Sequence, residues 1–226
     1  MRKTFDAELL ELNEELTAMA RQAQDAIDVV TESLSTDDEQ TAKAAIDMTA
    51  SLDQMERDIE NRCLNLLLRQ QPVARDLRAV SAALKMISDM ERIGDQAADI
   101  AEITGYINGM GGQHRLPIDE MAQATIKMVT DSVQSFVSQD LELVHAVIAY
   151  DDVVDGLFDR VRAQLISLLG ADSANGGLYL DLLMIAKYFE RIGDHATNIA
   201  EWVEFSLTGV HARQTDNKEI KQKEES

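Results

Sequence analysis

Carboxylates recur at four-residue steps in this chain, always beside a second acidic stretch. Glu91, Asp95, Asp99 and Glu102 form one series; Glu190 and Asp194, followed by Asn198 and Glu201, form another. At 100° per residue, each series shares one side of a helix. Like charges at this spacing cost a few tenths of a kcal/mol each on an exposed helix, so their repetition points to an offsetting cation. Asp151, Asp155 and Asp159 on one neighbouring stretch, and Asp53, Glu56 and Glu60 on another, would supply oxygens from a second helix. Such hard donors suit Mg, Mn or ferric iron, with Zn as an adventitious guest. The competing reading is a solvated acidic face.

Other chemistries find less support. The four histidines, His114, His145, His195 and His211, repeat no ligand spacing. His195 adjoins Asp194 and is read as an ordinary surface histidine, with a nitrogen ligand to the second site as the alternative. Di-iron oxidases place Glu-x-x-His on bundle helices, but the third residue after Glu91 is Gly94 and after Glu190 is Gly193. No glycine-rich phosphate loop and no nucleophile with a paired base can be assembled. Cys63 is the one cysteine, set among leucines, which excludes a disulfide framework and a thiolate metal site. Gly94 and Gly193 interrupt strong helices, so close approach of a neighbouring helix, or room for a metal-bound group, is expected there. Arg92 and Arg191 are expected to pair with nearby acids.

The elements that position these residues follow from composition and repetition. Of 226 residues 45% are hydrophobic and 4% aromatic, with two prolines, which favours an all-α fold. A net charge of −20 disfavours nucleic acid and favours cations or basic partner surfaces. The first fifteen residues are acidic and no apolar run approaches a membrane span, which predicts a cytoplasmic protein that meets membranes only through partners.

Sliding the chain along itself shows a duplication. Asp38 matches Asp140 and Asp53 matches Asp155 at an offset of 102, whereas Glu91-Arg92-Ile93-Gly94-Asp95 matches Glu190-Arg191-Ile192-Gly193-Asp194 at 99. A three-residue deletion is therefore expected between the second and third helices of the later half. Helices are predicted at 4–35, 37–71, 72–108, 117–138, 139–170 and 177–208, giving two pseudo-symmetric three-helix bundles in tandem, over 1–110 and 115–209, with a frayed tail at 210–226. Thr36 with Glu39 reads as a capping box, Ser138 as its counterpart, Pro72 and Pro117 as first-turn prolines and Gly109–Gly112 as the break between halves. Ala83, Met86, Met90, Ile93, Ala97 and Ile100, matched by Leu182, Ile185, Phe189, Ile192, Ala196 and Ile199, read as core seams.

These repeated Glu-Arg-Ile-Gly-Asp motifs, extended in the second half through His195-Ala196-Thr197-Asn198-Ile199-Ala200-Glu201 and joined by Gln71-Pro72-Val73-Ala74 with Asp76-Leu77-Arg78, resemble the PhoU family of phosphate-transport accessory proteins. The resemblance spans roughly residues 4–208. It implies paired bundles, self-association as a homodimer, and a non-catalytic adaptor that works between the transporter ATPase PstB and the sensor kinase PhoR, holding phosphate-starvation signalling off. It also implies metal held by Glu91 and Asp95 with Asp53, and by Glu190 and Asp194 with Asp151 and Asp155; Asp99 is grouped with the first set. Thr49 stands where Asp151 does, so the first site is expected to be the weaker. A purely structural scaffold and a carboxylate-metal enzyme are the alternatives.

Overall fold

The computed structural model describes residues 2–36, 39–70, 72, 74–107 and 116–210. Six long helices account for nearly all of them: α1 (Arg2–Thr36), α2 (Glu39–Gln70), α3 (Arg75–Ile107), α4 (Ile118–Ser138), α5 (Leu141–Ala171) and α6 (Gly176–Thr208), with one 3₁₀ turn at Ser173–Asn175. Among the described residues there is no strand, and no helix is long and apolar enough to cross a membrane. Four residues separate α2 from α3 and four separate α5 from α6, so the three residues missing from the later half are taken from the helix ends that flank the connection and not from the connection itself.

Each helix end has a local cause. Gln139 adopts the left-handed conformation (φ 57°), and the Asp140 N–H reaches back to the Ser135 carbonyl at 3.0 Å, which closes α4 with a Schellman motif. Asp140 then caps α5, its carboxylate accepting from the N–H groups of Glu142 (2.9 Å) and Leu143 (3.1 Å). This corrects the assignment of Ser138 as the cap: still inside α4, its hydroxyl donates to the Gln134 carbonyl one turn back. Pro72 lies in the connection before α3 rather than in its first turn, and Pro117 occupies the N-cap of α4. The side chains of the Thr36–Glu39 box, the Gly109–Gly112 break, His114, His211 and the tail beyond Val210 lie outside the described residues.

All twelve seam residues named from periodicity are buried. What periodicity did not convey is how the halves meet. α3 packs on α1 and α2, α6 on α4 and α5, and α3 and α6 pack on each other along much of their length; α1 and α4 add a second contact. The core is one continuous cluster drawing on all six helices, not two cores in tandem. Two central helices surrounded on most sides need small residues, and Ala82, Ala83, Ala97 and Ala101 on α3 answer Ala186, Ala196 and Ala200 on α6 in being buried. Full burial of each larger seam side chain contributes about 1.5–3 kcal/mol.

Polar contacts tie the same junction. Arg78 Nε donates to the Ser206 carbonyl at 3.3 Å, and Arg75 bonds to Gln139. His195, read from the sequence as a surface residue, is buried at this seam with its Nδ1 2.9 Å from Asp89 Oδ1. Asn198 Nδ2 donates to the same oxygen at 3.4 Å. Cys63 is buried among apolar side chains, and burial pushes its thiol up to about 12, so it remains unreactive packing.

Candidate metal centre

α2 runs antiparallel to α3, and α5 to α6, with the two glycines at the points of contact. A methyl group on Gly94 would lie 2.6 Å from Leu52 Cδ1, and one on Gly193 would lie 3.3 Å from Val154 Cγ1 and 3.4 Å from Asp151 Oδ1. Leu52 and Val154 are repeat equivalents, so both halves use the same device. Missing side chains let the acidic face of one helix press against that of its neighbour, one turn from Glu91 or Glu190. Gly94→Ala is expected to destabilise the protein by about 1 kcal/mol, because overpacking of about 1–3 kcal/mol against buried Leu52 outweighs about 1 kcal/mol of helix propensity. Gly193→Ala, whose methyl would press less closely on Val154, should change stability by less. Urea unfolding checks both, and equal stability of Gly94→Ala and the parent would contradict the close-approach account.

In the first half this approach gathers Asp53 from α2 with Glu91 and Asp95 from α3, and one carboxylate oxygen of each lies within 4.8 Å of the other two. Two ligands on opposite sides of a cation with bonds of about 2.1–2.4 Å are about 4.2–4.8 Å apart, so these oxygens fit around one ion. Burial, then the charges of Asp95, Glu56 and Asp53, raise the Glu91 carboxyl above its ordinary value. Burial, then Asp53 and Asp99, raise that of Asp95. Arg92 opposes both shifts, but among the described residues it forms no ion pair with either.

The second half assembles Asp151 and Asp155 from α5 with Glu190 and Asp194 from α6. Burial, then Asp155, Asp194 and Glu190, push the Asp151 carboxyl up to about 6. The nearby Thr197 hydroxyl works against that rise, although its oxygen is buried without a partner at hydrogen-bonding geometry. Asp155 and Asp194 are raised as well, by burial and then by Glu190. Among the described residues, however, only the first half brings three ligand atoms so close together. The spacing favours the first half, for which Thr49 led to the expectation of a weaker site, and in the second half the Lys187 ammonium is bonded to Glu190.

Two residues assigned from spacing lie elsewhere. Asp99 turns toward α6, where Tyr188 and Arg191 lie near it and oppose the rise that burial gives its carboxyl. Asp159 is exposed and pairs with Arg162 at 3.5 Å. A step of four residues advances about 40° beyond a full turn, so a series of three drifts about 80° around the helix and leaves the face on which it began. Spacing alone overlooked Lys187, which is three residues before Glu190, and Asp89, the partner of His195.

A duplicated six-helix bundle with carboxylates between the second and third helices of each repeat defines a class of all-α repeat protein. The PhoU domain model matches residues 16–104 and again 118–203. A phosphate-specific transport system accessory protein PhoU homologue of Clostridium acetobutylicum is 34% identical over 92% of this chain and 96% of its own. One from Aquifex aeolicus is 35% identical over 81% and 84%. The crystal structure of PhoU from Pseudomonas aeruginosa superposes with a TM-score of 0.83 at 29% identity, covering 91% of this chain and all of that one. The chain belongs to the PhoU family.

Proposed function

We propose that the protein is a metal-binding accessory regulator of phosphate uptake, which holds phosphate-starvation signalling off by linking the transporter ATPase PstB to the sensor kinase PhoR. The observation that carries this reading is the placement of Asp53, Glu91 and Asp95 at single-ion spacing on the scaffold of a transport-accessory family. Asp53, Glu91 and Asp95 would hold one ion, and Asp151, Asp155, Glu190 and Asp194 another. A bound Mg, Mn or iron ion supplies positive charge that α2 and α3 share, offsetting the repulsion between them. The role is that of an adaptor, working in the cytoplasm as a homodimer and reaching the membrane through its partners. Its charge of −20 favours basic protein surfaces over nucleic acid.

The experiment is a pull-down of purified PstB and the cytoplasmic part of PhoR on the immobilised chain, with Mn and with chelator. Retention of both partners, stronger with metal, is expected. Failure to retain either one refutes the adaptor role, and equal retention in chelator separates it from metal.

A further inference from the structure

The two carboxylate groups occupy repeat-related places, yet their surroundings differ at two neighbouring positions. Ser88 of α3 corresponds to Lys187 of α6, and Glu56 of α2 to Phe158 of α5. In the first half the Ser88 hydroxyl donates to Glu56 Oε1 at 3.5 Å. In the second half the Lys187 ammonium is bonded to Glu190 and lies 5.5 Å from the Phe158 ring centroid. It also offsets the charge of Asp155 and Asp194. A serine–glutamate pair has thus been exchanged for a lysine held over a ring. The i,i+3 spacing places the lysine beside Glu190 by helix geometry alone, and the ring face attracts the cation. Among the described residues, no lysine or arginine forms an ion pair with Asp53, Glu91 or Asp95.

We propose that Lys187 is a resident counter-ion of the second carboxylate group, so that the first half takes a divalent cation directly and the second takes one only by displacing the ammonium. This rests on the metal-binding reading above and specifies which half responds first to metal. A unit charge about 5 Å from an ion, at an effective permittivity of about 20, weakens binding by well over tenfold. The Lys187 side chain is 44% exposed, which leaves it free to swing into solvent, so the second half binds weakly rather than not at all.

The test titrates Mn²⁺ into the chelator-stripped full chain, following free Mn²⁺ by electron paramagnetic resonance and the melting temperature in parallel. The parent is expected to show one tight class and one roughly tenfold or more weaker. Lys187→Ser, which makes the second half resemble the first, should bring the weak class close to the tight one; Lys187→Gln should do the same without shortening the side chain as much. Ser88→Lys should weaken the tight class by roughly tenfold. Two equal classes in the parent, or affinities unmoved by both Lys187 variants, would overturn the counter-ion. No Mn²⁺ binding by the parent at about 1 mM would instead overturn the metal reading beneath it.

Discussion

Changing Glu91→Gln together with Asp95→Asn is expected to remove most of the melting-temperature gain that Mn gives the parent. The substitutions keep size and delete two charges from the compact group that includes Asp53. A metal that binds only the folded protein stabilises it by about 2.7 kcal/mol at one hundred times its dissociation constant, or about 5–10 °C for a chain of this size. Without metal the variant should be as stable as the parent or slightly more so, because burial and like charge already disfavour the ionised forms of both residues. Stability and ligand response therefore move in opposite directions, which a simple packing defect would not produce. Glu190→Gln with Asp194→Asn should remove a smaller part, since Lys187 already occupies that group. Equal gains in the parent and both double variants, measured by scanning calorimetry, would reduce these carboxylates to a solvated face.

The metal-free protein should lose stability as pH rises from about 4 to 7, opposite to ordinary acid denaturation. Asp151 carries the largest part. Its carboxyl titrates near 3.8 when unfolded and at about 6 when folded, so between these values the folded state holds the extra proton. Its contribution is complete below the unfolded value and is lost as pH rises through the folded one. About two pKa units correspond to about 3 kcal/mol, and because Asp151 is partly exposed, screening reduces the expected effect to about 1 kcal/mol. Asp155 and Asp194, shifted in the same direction, add to it. Asp151→Asn should therefore gain about 1 kcal/mol over the parent at pH 7 and nothing at pH 4. Urea unfolding in chelator across this range checks it; a parent–variant difference independent of pH would refute the assignment.

Much of this molecule was written locally. Periodic apolar positions such as Met86, Met90, Ile185 and Phe189 specify helices and their buried stripe, because side chains three and four apart must share a face. The duplication and the pairing of an acidic helix with each Glu-Arg-Ile-Gly-Asp segment were equally legible, since each depends on comparing the chain with itself. The tertiary structure decided what lies across from each side chain. Burial of His195 against Asp89 depends on α3 packing against α6, 106 residues apart in sequence. Asp99 left the acidic face because helical drift carried it toward Tyr188, and the gathering of Asp53 with Glu91 and Asp95 depends on α2 packing against α3. Spacing along one helix determines direction around its axis, whereas distance and charge across a helix pair are set by the packing of both partners.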